Sequence, residues 1–587
     1  MTRLPVARLL LILLPIACVG LFGRLYYTPD EPREASLVVR MATQPDKAIP
    51  QLAGRPFAEK PPLMYWLGGA AVAEFGASPA AARLPNLAYL LVTALAIGWL
   101  AARAAGARAG FAAGLVAVTA LQLYLVLIWL ATDAPLVMGV AVALSGAFAG
   151  LTARDTRARL IGYLVLHLGL ALAFFAKGFA GWMVPVLAFF TVILAERRWR
   201  ELLCLELWAG VPLLALAIGT WVWFVARLPD GHAWLRVLFW YNLVGRAVPV
   251  EAPLQFAYAA GHRNFPGKYL IELPLYLLPW TPLAFAALRR VPRGWRLPGD
   301  EGTAWRLAVG AIVPATLLLS LAATARGVYY GPPALGFAIL IGLYVGSAGT
   351  ALDRYDRRAW RLTGALIALL AIALAALAAL LAFAPAVREP LAMTFAVLAL
   401  LAGGCAAWLA LRLPVAAAGA LPRQALAVAL VLTCVIGPLL RQLNEWQSLE
   451  AVAERIVAAA GHRPLILIGA DETTVAMADL YIRPAEVLAV LGSSDRDAMS
   501  RAAAALASSD GVARIVWLVP DRTPWDVSAW LGFLGYGRAP PPPPAIATLP
   551  DRLGPLRLEC TVVRPGGRAF AVLAAATAPT VPGASCR

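Results

Sequence analysis

The sequence predicts a polytopic α-helical membrane protein with an α/β domain at its C-terminal end. The 587 residues are 61% hydrophobic and only 14% charged, which is more apolar surface than a soluble chain can hide. Apolar runs of about 20 residues, each able to cross a hydrocarbon core about 30 Å thick, recur as far as residue 440 or so. Beyond that point the composition changes, and short runs typical of strands and helices in a soluble domain follow.

Hydropathy predicts about thirteen membrane spans. They are expected near residues 5–23, 79–102, 110–130, 135–152, 160–176, 179–195, 203–226, 270–288, 306–323, 331–348, 362–385, 391–411 and 424–440. An odd number of spans places the N-terminus and the C-terminal domain on opposite sides of the membrane. We therefore expect a transmembrane domain over residues 1–440 and an extracytoplasmic α/β domain over residues 441–587.

The net charge of +17 reflects arginines that cluster in short loops between the apolar runs. With the N-terminus inside, each even-numbered span ends at such a cluster, as the positive-inside rule requires. The clusters are Arg103/Arg108, Arg154/Arg157/Arg159, Arg197/Arg198/Arg200, Arg289/Arg290/Arg293, Arg354/Arg357/Arg358 and Arg412/Arg423. The basic charge thus indicates topology, and without zinc-finger spacing or a basic helix we expect no nucleic-acid partner.

Two large loops face outward, at residues 24–78 and 227–269. The first should contain two short amphipathic helices, over residues 30–42 and 61–75. Asp30 is expected to cap the first helix, and Tyr65 and Trp66 in the second suit a membrane interface.

In the C-terminal domain, four strands are expected at residues 465–469, 513–519, 556–563 and 569–574, with helices at 451–460 and 499–507. Cys560 and Cys586 could pair there if the domain is extracytoplasmic, a question the sequence leaves open.

Ionisable residues are concentrated on the outward-facing side. A charged group at membrane depth costs about 2.5–3.5 kcal/mol, so it is kept where it faces a polar cavity or has a partner. Any one such charge could simply be a solvated turn, but as a group they fit a phosphate-bearing substrate with a reacting sugar. Cations would hold the phosphate, and a carboxylate would orient the acceptor or remove its proton. The acids are Asp30 and Asp133, and the cations are Lys60, Lys177, Arg246 and Arg326.

Several motifs resemble the lipid A 4-amino-4-deoxy-L-arabinose transferase family, which has the GT-C glycosyltransferase fold and protein O-mannosyltransferases as relatives. The most specific is GRPFAEKPPLMYWL at residues 54–67. It follows Asp30-Glu31 and precedes AARLPNLAYLL (81–91), TDAP (132–135), KGFAGW (177–182), FWYNLVGR (239–246), LPWTP (278–282) and RGVYYGPP (326–333).

The resemblance implies an inverting transfer of a sugar, such as 4-amino-4-deoxy-L-arabinose, from undecaprenyl phosphate. The acceptor would be lipid A phosphate or another glycan or lipid at the periplasmic face of a bacterial inner membrane. Catalysis is assigned to Asp30, Asp133 and Glu31. Donor phosphate binding is assigned to Lys60, Lys177, Arg246, Arg326 and Tyr329, and other substrate contacts to Arg33, Glu59, Tyr65, Tyr330 and His262.

The sequence departs from the family pattern in three places, one of which is Arg326, where a late-span motif usually carries Lys. Glu34 follows Arg33 where the family usually has Tyr, and Tyr241 and Asn242 occupy a region where a His is frequent. A divalent metal, with Glu59 as the candidate ligand, is therefore left open. The alternative function is a transporter or flippase of a lipid-linked sugar. Transporters tend to show internal repeats and helices broken at the midplane, and neither is evident in the sequence.

Overall fold

The computed structural model describes residues 4–247, 265–322, 324, 326–347, 353–385, 387, 389–412, 417–482, 486–492, 497–519, 553–564 and 568–579. The first part of the chain is a helical bundle. Its helices up to the middle of the chain are α1 (Val6–Leu21), α2 (Glu31–Thr43), α3 (Leu63–Phe75), α4 (Pro79–Ala105), α5 (Ala107–Thr119), α6 (Leu121–Ile128), α7 (Asp133–Leu151), α8 (Thr156–Lys177), α9 (Met183–Glu196), α10 (Leu205–Trp208), α11 (Val211–Ala226), α12 (Gly231–Arg236) and α13 (Val244–Ala247).

The remaining bundle helices are α14 (Lys268–Tyr276), α15 (Thr281–Gly294), α16 (Gly299–Leu321), α17 (Gly331–Ser347), α18 (Arg354–Ala382), α19 (Ala392–Leu411), α20 (Ala417–Leu430), α21 (Gly437–Gln442) and α22 (Asn444–Gln447). Among the described residues, nine helices are long and apolar enough to cross a membrane, or up to eleven if each of two bent pairs counts as one span. The chain is a polytopic membrane protein.

One of those nine, Thr156–Glu196, has 41 residues and would be roughly 60 Å long if straight, twice the hydrocarbon thickness. It is a hairpin. The rings of Tyr163 and Phe189 lie 6.2 Å apart, and Trp182 Nε1 donates to the Leu170 carbonyl at 2.9 Å. Gly178, with φ of +66°, stands at the reversal. Counting this hairpin as two spans and adding the 16-residue helix α1 raises eleven to the predicted thirteen.

Two predicted spans, 110–130 and 270–288, are not straight. Helices α5 and α6 meet at 62°, and α14 and α15 at 117°. The second break follows from Pro279, which has no N–H to continue a helix. The breaks face each other: Leu121 N–H donates to the Leu278 carbonyl at 2.8 Å, and Trp280 Nε1 donates to Thr119 Oγ1 at 3.0 Å. Backbone groups freed inside the membrane are thus satisfied by a neighbouring segment.

Small residues allow a close contact between helices α7 and α8. A Cβ added at Gly146 would lie 2.2 Å from the Leu166 backbone nitrogen, and one added at Gly169 would lie 2.2 Å from that of Ala143. Such close backbone approach is typical of membrane helix pairs, which gain stability from packing rather than from water exclusion.

The predicted arginine clusters lie at one end of the bundle, and several of their arginines pair with acids at other helix ends. Arg103 Nη1 is 2.7 Å from Asp300 Oδ2, and Arg289 and Arg290 both contact Asp356. Asp353 caps α18 by accepting from the N–H of residue 356 at 2.8 Å. The residues that line the cavity described below belong to helix ends and turns on the opposite side.

The first outward loop forms both predicted helices, α2 and α3, with a short hairpin of β1 (Gln51–Leu52) and β2 (Arg55–Pro56) between them. One detail of that prediction is wrong. Asp30 occupies the N-cap position of α2, but its side chain makes no capping hydrogen bond. The carboxylate is instead engaged by an arginine from another part of the chain.

A five-stranded sheet follows the bundle. Its strands are β3 (Leu465–Ala470), β4 (Val487–Gly492), β5 (Arg514–Leu518), β6 (Leu556–Arg564) and β7 (Arg568–Ala575), in the order β4-β3-β5-β7-β6. The first three are parallel, and β7 and β6 are antiparallel additions. The associated helices are α23 (Glu450–Ala459), α24 (Glu472–Tyr481) and α25 (Ala498–Ser508).

Strand residues alternate between two cores. Leu465 and Leu467 pack with α23 and α24, whereas Ile466 and Ile468 pack with α25 on the other face. All four predicted strands and both predicted helices are confirmed, while β4 and α24 were missed. Cys560 on β6 is disulfide-bonded, and Cys586 lies outside the described residues.

Candidate active site

A cavity of about 820 Å³ opens among the ends of several helices on the side opposite the arginine clusters. Its walls come from the start of α2, the segment after β2, the α6–α7 junction, the α8–α9 reversal and the turn before α17. Eight charged residues line it, four acids and four cations among the described residues: Asp30, Glu34, Glu59, Asp133, Arg33, Lys60, Lys177 and Arg326.

Asp30 lies at the N-terminal end of helix α2, and its carboxylate lies between two arginines. Arg326 Nη2 donates to Oδ2 at 2.8 Å, and Arg33 Nη2 is 3.6 Å from Oδ1. The Asp30 side chain is 29% exposed, so it remains open to a ligand. Its main partner lies 296 positions away in the chain, which explains why the side chain does not cap its own helix.

A second acid–base pair lines the same cavity. Asp133, the first residue of α7, is bonded to the ammonium of Lys177, the last residue of α8. The same ammonium lies 4.5 Å from the ring centroid of Tyr329, in cation–π contact. The two spans therefore deliver one acid and one cation to the cavity at their adjoining ends.

Arg33 and Lys60 connect the first loop to further carboxylates. Arg33 contacts Glu34 at 2.7 Å and Glu472, from the C-terminal sheet domain, at 2.6 Å. Lys60 Nζ is 3.3 Å from Glu59 and 3.6 Å from Glu34. Burial by itself lowers the pKa of Lys60, but the nearby carboxylates of Glu59 and Glu34 raise it by more, so the ammonium stays protonated.

Two tyrosines assigned to substrate contact lie behind the cavity wall rather than on it. Tyr65 is 1% exposed and donates to Glu34 at 2.7 Å. Burial and the charge of Glu34 hold the pKa of Tyr65 well above its usual range, so the phenol is a neutral donor. Tyr330 is fully buried, and its hydroxyl bonds Thr316 at 2.9 Å. Tyr65 thus contacts the Glu34 carboxylate, and Tyr330 contacts the Thr316 hydroxyl.

Glu31 was predicted to be catalytic beside Asp30, and the structure places it elsewhere. Its side chain is fully buried and does not line the cavity. Arg24 and Arg83 donate to it at 2.6 and 2.7 Å, and the N–H groups of Tyr27 and Leu130 donate at 2.8 Å each. With its oxygens occupied in this way, the carboxylate has a structural environment rather than a reactive one.

The pKa of Glu31 agrees with that environment. Burial raises it, but the charges and hydrogen bonds of Arg24 and Arg83 outweigh burial and lower the pKa to about 2. Glu31 therefore stays ionised and binds two segments together. One carries Asp30, and the other, through Leu130, leads to Asp133.

Two predicted site residues fall outside this description. His262 is not among the described residues. Arg246 belongs to helix α13, but its side chain is not described. Their assigned roles remain predictions.

The structure adds residues that sequence reasoning did not assign to the site. Glu34 belongs to the charged first loop but is assigned no role from the sequence, and Glu472 has no sequence signal that points to the site. Gln122 and Asn242 also line the cavity. An Asp-Glu pair after a strand, as at Asp471-Glu472, is an ordinary helix start, so only the packing of α24 against α2 reveals the role of Glu472.

The described residues contain no group of three His, Cys, Asp or Glu side chains that could hold a metal ion. Glu59, the candidate ligand, lies beside the ammonium of Lys60, which is a poor neighbour for a divalent cation. The donor set of the described residues does not fit a metal.

The four cavity cations each have a carboxylate within ion-pair distance: Arg326 with Asp30, Arg33 with Glu34, Lys60 with Glu59, and Lys177 with Asp133. An incoming phosphate would therefore compete with carboxylates that already hold the cations in place. This arrangement suits an anionic ligand that binds by exchanging partners.

The chain is similar in sequence to known transferases. A family profile for dolichyl-phosphate-mannose-protein mannosyltransferase matches residues 59–223. The undecaprenyl phosphate-alpha-4-amino-4-deoxy-L-arabinose arabinosyl transferase of Edwardsiella ictaluri is 31% identical over 340 residues, covering 57% of this chain and 59% of that protein. The Aeromonas salmonicida protein of the same name is 28% identical over 386 residues, covering 65% of this chain and 66% of that protein.

A solved structure covers more of the chain. Crystalline ArnT from Cupriavidus metallidurans bound to undecaprenyl phosphate superposes with a TM-score of 0.69 over 98% of this chain and 99% of that one, at 18% identity. Its apo state gives a TM-score of 0.67. The chain has the GT-C fold.

The resemblance predicted from the sequence motifs is confirmed as a likeness of sequence and fold. The chain spans about three fifths of the length of the curated relatives it matches, 59% and 66% for the two named above. The matched family segment, residues 59–223, contains four of the cavity's charged residues: Glu59, Lys60, Asp133 and Lys177.

Proposed function

We propose that this protein transfers a sugar from a polyprenyl phosphate to an acceptor at the outer face of a bacterial inner membrane. The observation that carries the proposal is the cavity in which Asp30 and Asp133 share walls with Lys60, Lys177 and Arg326. The names of the sequence relatives support undecaprenyl phosphate as the carrier and 4-amino-4-deoxy-L-arabinose as the sugar. Residues 1–440 would form the transmembrane transferase domain and residues 441–587 a periplasmic domain.

The reaction exchanges one bond at the anomeric carbon for another. The acceptor oxygen bonds the anomeric carbon from the face opposite the phosphate, and undecaprenyl phosphate leaves with the electron pair of the broken C–O bond, which inverts the configuration. Lys177 and Arg326 stabilise the departing phosphate, because their charges are within reach of the same cavity. Tyr329 holds the Lys177 ammonium in place.

Asp30 acts on the acceptor. If the acceptor is a hydroxyl, its proton passes to the Asp30 carboxylate as the new bond forms. If the acceptor is a phosphate, such as that of lipid A, it is already ionised, and Arg33, which lies beside Asp30, orients it. Asp133 keeps Lys177 placed until the donor phosphate takes over that contact.

The variant Asp30→Asn tests this assignment. Purified protein in lipid nanodiscs would be assayed for release of undecaprenyl phosphate from a lipid-linked sugar. A hydroxyl acceptor predicts a loss of about 10²–10⁴-fold, the usual contribution of a general base. A phosphate acceptor predicts a smaller loss. Glu74→Gln, the same chemical change at an exposed position of α3, should leave the rate unchanged. Asp30→Asn at the wild-type rate with every acceptor would contradict the proposal.

The cations are tested through donor binding. Lys177→Met and Lys60→Met should weaken binding of the undecaprenyl-phosphate sugar, whereas Arg55→Gln on the exposed β2 strand should not. Unchanged donor affinity in both lysine variants would remove the phosphate assignment.

A lipid-linked-sugar transporter is the second candidate, and one observation favours it. The structure contains two broken helix pairs, α5–α6 and α14–α15, which the sequence did not predict and which are common in transporters. The nanodisc assay separates the candidates, because a transporter moves the lipid without releasing undecaprenyl phosphate from its sugar.

A further inference from the structure

The C-terminal sheet domain rests on the helix that carries Asp30. Helix α24 packs against α2, where Ser36 Oγ donates to Asp479 at 2.6 Å and Arg40 forms an ion pair with the same carboxylate. Thr473 Oγ1 donates to the carbonyl of Pro29, the residue just before Asp30, at 3.0 Å. The domain therefore fixes the start of α2 from outside the membrane bundle.

At the end of this contact, Glu472 reaches the edge of the cavity through Arg33. The Arg33 side chain is 12% exposed and lies among three carboxylates: Glu472 at 2.6 Å, Glu34 at 2.7 Å and Asp30 at 3.6 Å. Arg33 donates one hydrogen bond from Nη1 to Glu472 and another from Nη2 to Glu34. The guanidinium thus makes short contacts with two acids, and Asp30 is left at a longer distance.

We propose that Glu472 is a positioning residue that restrains Arg33, so that the Asp30 carboxylate remains open to the acceptor while paired on one side with Arg326. This proposal rests on the proposed transferase function. A guanidinium prefers bidentate pairing with carboxylates, and Asp30, at 3.6 Å, is already within ion-pair distance of Arg33. Without the charge of Glu472, Arg33 moves toward Asp30 and occupies the oxygen that the acceptor needs.

The consequence for chemistry is a loss of rate more than of donor binding. The contact between Arg33 and Asp30, 3.6 Å in the wild type, would shorten, and a closer second arginine reduces the capacity of the carboxylate to accept a proton. The donor phosphate is assigned to Lys177 and Arg326 rather than to Arg33, so donor binding should depend little on where Arg33 lies. Because a small misplacement of a reacting group lowers the rate steeply, a fall in kcat of about tenfold or more is expected.

The test compares two neutralised carboxylates on the same helix. Glu472→Gln keeps the shape of the side chain and removes the charge that holds Arg33. Asp479→Asn removes the contact with Ser36 and Arg40 and leaves Arg33 untouched. The measurements are kcat and donor KM for full-length protein in nanodiscs, with undecaprenyl-phosphate sugar as donor, together with the melting temperature of each variant.

We expect Glu472→Gln to lose about tenfold in kcat with donor KM within about twofold of wild type, and Glu472→Asp to recover part of the loss. Asp479→Asn should keep its kcat per folded molecule even if its melting temperature falls. Equal losses of kcat in Glu472→Gln and Asp479→Asn would show a merely structural contact and overturn the proposal, as would a wild-type kcat in Glu472→Gln.

Different results would refute the transferase function and the role of Glu472. Wild-type protein that releases no undecaprenyl phosphate would refute the proposed function, and the role of Glu472 would fall with it. Active wild-type protein with a fully active Glu472→Gln variant would refute the role of Glu472 alone.

Discussion

Replacing Glu31 by Gln should destabilise the whole outward face of the bundle. The carboxylate is 0% exposed and lies between Arg24, which is 3% exposed, and Arg83, which is 0% exposed. Glu31→Gln preserves the side-chain shape but leaves two buried guanidiniums without a counter-charge. Breaking a buried ion pair from one side costs about 3–5 kcal/mol, and here both arginines lose the same partner.

The assay is reversible unfolding of the purified protein in detergent micelles, with the exposed Glu454→Gln as the matched control. The control should lie within about 0.5 kcal/mol of wild type, as is usual for surface changes. A Glu31→Gln variant within about 1 kcal/mol of wild type would refute the claim that this carboxylate joins the two segments.

A second variant tests the cause. Arg83→Met removes one of the two charges that Glu31 compensates. If the cost of Glu31→Gln comes from uncompensated charge, the double variant should be less destabilised than the sum of the two single variants, by at least about 1 kcal/mol. Additive effects would indicate that lost packing is responsible instead.

Three further outcomes are expected. The pKa of Glu31 is about 2 in the folded protein, against an ordinary value of 4.5. Its ionised form therefore stabilises the fold above pH 4.5, and this contribution is lost as the pH falls toward 2. Unfolding measured across this range should show the difference in free energy of unfolding between wild type and Glu31→Gln becoming smaller as the pH falls. Gly146→Ala should lower the free energy of unfolding by about 1–3 kcal/mol, because the added Cβ would meet a backbone nitrogen. Gly404→Ala, in open space, should be neutral or slightly stabilising. Yields of folded protein and melting temperatures test both variants. Trp280→Phe removes the hydrogen bond to Thr119 that joins the two broken helix pairs, and unfolding should show a loss of about 1 kcal/mol.

Much of the candidate site was predictable because charge at membrane depth is rare. Asp30, Lys60, Asp133, Lys177 and Arg326 stand out against apolar surroundings, and all five line one cavity. Their pairing was not predictable. The partner of Asp30 is 296 positions away, and nothing near Asp30 in the sequence indicates that this partner is Arg326.

Glu31 shows most clearly what the local sequence could not predict. It neighbours Asp30 in the sequence and has the same chemistry, yet the two side chains leave the start of α2 in different directions. One enters the cavity and the other enters the buried ion triad. Local sequence cannot separate two adjacent acids, because the difference lies in which helices pack against each of them.

The sequence by itself determined the membrane class, the number of spans, the side to which arginines are confined and most strands of the C-terminal domain. Each of these depends on hydropathy or charge summed over a short stretch of chain. The tertiary structure alone decided where the spans at 110–130 and 270–288 break, that Glu31 is buried between Arg24 and Arg83, and that Glu472 contacts Arg33 at the cavity edge. Those features depend on contacts between segments far apart in the chain, which form only when the whole bundle and its domain have assembled.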